Sequence, residues 1–97
     1  MIGLAMRAGK LVIGTEPVCR AMAKGNTKLV IISRSASAGT MKKLTVKSEF
    51  YGIEYAVVEI DAETLGKTIG KTYAPMTVAV TDEGLAKAIL AAASETN

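Results

Sequence analysis

A chain of 97 residues, 49% apolar and 22% charged, is long enough for one domain with a real core, too short for two, and too apolar for wholesale disorder. With no histidine and a single cysteine it forms no internal disulfide, and a metal would need an all-carboxylate shell, so neither metal nor cofactor is expected. Net charge is only +3, yet residues 1–47 carry nine basic side chains against the lone acid Glu16, while residues 48–97 carry three against eight; the first half is the candidate for meeting a polyanion.

Ile2 to Ala8 reads as a short helix closed by Gly9, and Leu11-Val12-Ile13 as a brief extended run before Gly14. Thr15, Glu16 and Pro17 predict an N-cap and first turn, since proline loses nothing where its missing N–H had no partner. That helix runs to about Lys24, stops at Gly25-Asn26, and holds Cys19 in its interior as a structural residue. Leu29 to Ser33 is a continuous apolar, β-branched run, the pattern of a strand covered on both faces. After the small-residue loop RSASAG, the spacing predicts a helix from about Thr40 to Tyr51, with Met41, Leu44, Ser48 and Tyr51 on one stripe and Gly52 as its end. Tyr55 to Val58 is the next strand. Asp61 or a neighbour starts a short helix with Leu65 and Ile69 on one face, closed by Gly70. Met76 to Val80 is a further strand, and Thr81 or Asp82 caps a last helix to about Ala93, with Leu85, Ile89 and Ala92 facing inward.

Helices alternating with strands define an α/β chain, a three-layer α/β/α sandwich with a four-stranded mixed central sheet, and no linker divides residues 1–97. No uncharged stretch reaches the roughly 18 residues of a membrane span, and MIGLAMRAGK lacks the pattern of a secretion signal, so a cytoplasmic protein with no membrane partner is expected. No cysteine or aromatic cluster announces a dimer interface, which predicts a monomer.

The residues also argue against catalysis. The commonest general base is missing, and Cys19 has no imidazole to activate it. The glycines are too dispersed for a dinucleotide or phosphate loop, and Asp82-Glu83 suits a helix start better than an acid–base pair. What remains is Gly14-Thr15-Glu16, a helix N-terminus whose free amides suit a phosphate or a base acceptor. Glu16 stands out inside a basic segment. It either balances the helix dipole and pairs with Arg20 one turn on, or accepts a hydrogen bond from a base while surrounding cations hold the backbone. The residues alone leave both open.

The run GLAMRAGKLVIGTEPVCRAMAKGNTKLVIISRSAS, continued by TMKKLTVKSEFYGIEY, LGKTIGK and VAVTDEGLAKAI, resembles the kink-turn RNA-binding family of small ribosomal proteins, in its bacterial ribosomal-protein-like branch, across essentially the whole chain. The resemblance implies the same α/β/α sandwich and a role without catalysis. It implies that Gly14, Thr15, Glu16 and Arg20 meet the sheared G·A pairs of a kinked RNA stem. It further implies that a loop here written Thr72, Tyr73, Ala74, Pro75 and Met76 packs under a flipped-out base, with Tyr73 able to stack. Arg34 is a further contact on this view, and Arg7, Lys10, Lys24 and Lys28 are phosphate neighbours. Thr15 stands where the family commonly has Asn, and one hydroxyl replaces an amide that donates and accepts at once, which predicts retained but weaker or shifted recognition. The partner implied is structured RNA of ribosomal or riboswitch type, with the large ribosomal subunit as a place of assembly. The competing expectation is a protein-interaction module of the same fold that has lost RNA binding, for which charge reversal at Lys10 and Arg20 leaves partner capture unchanged.

Overall fold

The computed structural model describes residues 8–59, 61–68 and 75–95. The expected helix at Ile2–Ala8, the helix end at Ile69 and Gly70, and the loop residues Thr72, Tyr73 and Ala74 lie outside them, apart from Ala8, which sits in a turn. The elements are β1 (Leu11–Ile13), α1 (Thr15–Ala23), β2 (Leu29–Ser33), α2 (Ala38–Phe50), β3 (Glu54–Val58), α3 (Ala62–Thr68), β4 (Thr77–Val80) and α4 (Glu83–Glu95).

The strands form one mixed sheet in the order β1-β4-β2-β3. β2 and β3, joined through α2, run parallel, while β4 lies antiparallel to both β1 and β2. Central placement explains the composition of β2, in which every residue from Leu29 to Ser33 is buried. The two-residue period of a strand divides it between two cores. Leu29 and Ile31 pack with Val78 and Val80 of β4, Leu65 of α3, and Ala86 and Ile89 of α4. Val30 and Ile32 pack on the other face with Ala79, Val18 and Met22 of α1, and Leu44 of α2. Helices therefore cover both faces, as the alternation predicts.

Local chemistry sets where each helix begins and ends. Thr15 is not the N-cap: it is the first helical residue, and Gly14 caps without a side-chain hydrogen bond. Gly14 has φ +101° and ψ 153°, a region essentially reserved for glycine, so the chain turns there because no Cβ opposes it. α2 begins earlier than the spacing predicts, because Ser37 Oγ accepts a hydrogen bond from the Thr40 amide at 3.2 Å and brings Ala38 and Gly39 into the helix. α1 and α2 end in the same way. Gly25 N–H donates to Met22 O and Asn26 N–H to Ala21 O; Gly52 N–H donates to Glu49 O and Ile53 N–H to Ser48 O, the paired bonds of a Schellman end. Asp61 Oδ1 accepts from the Thr64 amide at 2.8 Å and Asp82 Oδ2 from the Leu85 amide at 2.9 Å, so both acids act as helix caps. In the stripe predicted for α2, Leu44 and Ser48 are buried, whereas Tyr51 is 40% exposed because it stands at the C-cap, where the chain turns away toward β3.

Candidate nucleic-acid interface

At one end of the sheet, the ends of all four strands are tied side by side. Gly14 N–H donates to Thr77 O at 3.0 Å, Ser33 N–H to Met76 O at 2.8 Å, and Arg34 N–H to Val58 O at 3.0 Å. The buried Thr77 hydroxyl donates to Ile31 O at 2.6 Å and fixes β4 against β2 just inside this rim. The ladder thus brings together Gly14 and Thr15, Arg34, the buried Pro75, and Met76, which the sequence places in three distant segments.

α1 starts at this rim with Val18 N–H donating to Gly14 O at 3.0 Å as its first bond. The Thr15 and Glu16 amides precede that bond and Pro17 has none, so α1 presents two amides with no intrahelical acceptor. α2 begins at the same end, so the positive ends of two helix dipoles point to one side of the molecule. The Ser37 start was not legible as such in the small-residue loop, although a serine three residues before Thr40 is the available signal.

Glu16 does not pair with Arg20. Its Oε1 accepts from Lys43 Nζ of α2 at 3.0 Å, and both side chains are largely exposed. The hydrogen bond and charge of Lys43 hold the carboxyl below its ordinary value of 4.5, outweighing the opposing desolvation, and Arg20 and Lys47 add to the depression. The same bond raises Lys43. Lys43 is the residue that reading the sequence missed: it appears there only in the charge census, because no local pattern shows that α1 packs on α2. Arg20 lies exposed one turn beyond Glu16, and Arg34 sits 3.7 Å from Glu59 across the β2–β3 rim. Such exposed pairs are weak and exchange readily for another ligand.

Lys10, Lys24 and Lys28 are not neighbours of Gly14. Lys10 O accepts from Thr81 N–H at 2.9 Å and Lys28 N–H donates to Val80 O at 2.8 Å, so both flank the far end of β4. Lys24 is the C-cap of α1, about 13 Å along the axis from its start. Tyr73, Ala74 and Arg7 lie outside the described residues. Among the described residues no group of three His, Cys, Asp or Glu side chains could hold a metal, and no helix is long and apolar enough to cross a membrane.

A mixed four-stranded sheet between two helical layers, with a helix N-terminus that no side chain caps and a lysine-held carboxylate at its rim, defines a small α/β domain built to offer amides, one acceptor and cations together. Residues 1–90 match the ribosomal protein L7Ae/L30e/S12e/Gadd45 family, and the chain belongs to it. It is 41% identical over 90 residues to the RNA-binding protein YlxQ of Bacillus subtilis, covering 93% of this chain and 88% of that one. The protein of the same name from Enterococcus faecium is 38% identical over 88 residues, covering 90% and 82%. Among solved structures, a protein with unknown function from Bacillus halodurans superposes with a TM-score of 0.87 at 38% identity, covering 93% of this chain and 89% of that one. The Giardia lamblia 15.5kD RNA binding protein superposes with a TM-score of 0.82 at 16% identity over 98% and 82%, a likeness of fold.

Proposed function

We propose that this protein is a non-enzymatic RNA-binding protein that recognises a kinked stem with sheared G·A pairs. Its first candidate target is ribosomal RNA of the large subunit, bound by a monomer in the cytoplasm. Glu16 carries this reading. A carboxylate repels phosphate, so its place beside the free α1 amides, with Lys43, Arg20 and Lys47 around it, suits an acceptor for base amino or imino groups flanked by cations for the backbone. As a base donor reaches Glu16, Lys43 exchanges its exposed bond for a phosphate, so the pair holds the carboxylate charged and positioned without blocking it. Arg34 and the segment at Pro75 stand on the same rim, where they meet the strand leaving the kink. Family membership and the curated relatives named for RNA binding support the reading.

The test titrates the protein into a labelled stem with consecutive sheared G·A pairs, against a plain duplex of equal length, at several salt concentrations. The stem is expected to bind selectively, with Glu16→Ala removing the selectivity and Arg20→Ala lowering affinity and reducing the salt slope by about one. Equal, salt-sensitive binding to both RNAs would reduce the rim to a general polyanion surface and bring forward the protein-interaction module.

A further inference from the structure

The rim at Gly14 leaves the opposite end of the molecule unused. The chain has four aromatic side chains, and three of them, Phe50, Tyr51 and Tyr55, stand where α2 hands over to β3, exposed by 79%, 40% and 38%. The three lie within six consecutive residues, but the sequence does not show that all of them are exposed. Phe50 and Tyr51 meet edge to face, with centroids 4.9 Å apart and planes at 84°, which leaves ring surface of each uncovered by the other. Beside Tyr51 an open cleft of about 390 Å³ lies between the C-terminal ends of α1 and α2, with Met22, Gly25, Thr27, Lys28, Tyr51 and Glu54 in its lining.

The lining has the chemistry for one nucleotide. Lys28 stands in the wall, and the exposed Lys24 lies in the chain between the lining residues Ala23 and Gly25; neither is in an ion pair among the described residues, and both suit a phosphate. The Tyr51 ring offers a stacking face. No atom lies within 4 Å of where a Cβ on Gly25 or Gly52 would sit, so a flat group can approach the backbone there. Glu54 and the negative ends of two helix dipoles repel a phosphate but accept from an exocyclic amino group, which orients the base toward Glu54 and the phosphate toward the lysines. Thr27, which lines the cleft, is 6% exposed and its Oγ has no hydrogen-bond partner, so the lining holds a hydroxyl with bonding capacity to spare. A concave, charged cleft of this size fits a planar group with a phosphate better than it fits a flat protein surface.

We propose that this end is a second RNA site, which holds an unpaired nucleotide with an exocyclic amino group from single-stranded RNA, Tyr51 stacking on the base and Lys24 and Lys28 holding phosphate. The proposal rests on the reading of the chain as an RNA-binding protein, and it would let one molecule grip a kinked stem at one end and a flanking single strand at the other.

The probes are hexaadenylate and hexauridylate carrying a terminal fluorophore, followed by fluorescence anisotropy, which does not depend on the tyrosine that the variants replace. Hexaadenylate is expected to bind more tightly than hexauridylate, Tyr51→Ala to weaken it about tenfold, and Tyr51→Phe, which keeps the ring, to weaken it less than twofold. The Lys24→Ala, Lys28→Ala double variant should lower the affinity and flatten its salt dependence. Saturating kinked stem should leave hexaadenylate bound. Circular dichroism melts of each variant report the fold. Displacement of hexaadenylate by the stem would overturn the proposal, as would indifference to Tyr51→Ala, or a sedimentation mass showing that Phe50 and Tyr51 are covered by a second copy. Hexaadenylate binding that survives in a protein indifferent to the kinked stem would remove the proposed function and leave this site standing.

Discussion

Gly14 is where backbone geometry and the site meet, and Gly14→Ala separates strain from collision. A Cβ built there would lie 3.5 Å from Pro17 Cδ and 3.8 Å from Pro17 Cγ, ordinary contact distances, so nothing need move to make room. The cost is conformational. At φ +101° and ψ 153° an alanine occupies a region essentially closed to residues with a Cβ, and such strain costs about 2 kcal/mol. For a domain of this size that lowers the melting temperature by roughly 8–16 °C. The variant still folds at 25 °C, because domains of this kind have about 5–15 kcal/mol in hand. Its first turn relaxes away from the geometry that aims the Thr15 and Glu16 amides, so selectivity for the kinked stem falls at temperatures where the protein is folded. Gly25 gives the comparison. Its φ of +76° at the end of α1 is a conformation asparagine tolerates, so Gly25→Asn should cost less than about 1 kcal/mol, whereas Gly14→Asn should cost as much as Gly14→Ala. Thermal melts and RNA titrations of the three variants test this. A Gly14→Ala protein melting within about 3 °C of the parent, with selectivity intact, would refute the role given to this turn.

Two buried hydroxyls should behave differently on removal. Thr77→Val deletes a 2.6 Å bond to Ile31 O and should cost about 1 kcal/mol, whereas Ser48→Ala loses only a 3.7 Å contact to the Met22 sulfur, a weak acceptor, and should leave the urea midpoint nearly unchanged. The Glu16–Lys43 pair fixes a sign for pH. The folded-state pKa of Glu16 lies below 4.5, so the pair's contribution is present above that value and is lost as pH falls through the lower folded value; stem affinity should therefore show no Glu16-dependent change between pH 6 and 8 (roughly neutral conditions). Carboxyl-carbon NMR titration should show the Glu16 midpoint moving up toward 4.5 in Lys43→Ala, and an unmoved midpoint would remove Lys43 as its main cause. Thr15→Asn, which restores an amide able to donate and accept at once, should tighten stem binding in the same titration without changing its salt slope.

Much of the fold was legible because it rests on local chemistry. The run Leu29–Ser33 is apolar on both of its alternating faces, which only a central strand explains, and it lies at the centre of the sheet. Gly25 and Gly52 end helices where the chain must take a positive φ, and Asp61 and Asp82 cap because their carboxylates reach amides three residues on. The Gly14-Thr15-Glu16 turn was visible as a helix start for the same reason, although its cap proved to be the glycine.

Only tertiary structure decided what those pieces face. The direction of β4, antiparallel to both neighbours, places Gly14 and Thr77 at one end and Lys10 and Lys28 at the other, so cations grouped together by sequence separate in space. The packing of α1 on α2 gives Glu16 a lysine 27 residues away in place of the arginine four residues on. The hand-over from α2 to β3 leaves Phe50, Tyr51 and Tyr55, close neighbours in the chain, exposed to solvent. Caps and strand runs depend on neighbours along the chain and can be read there; pairing, charge grouping and exposed surface depend on which faces the sheet brings together, and no local pattern carries that information.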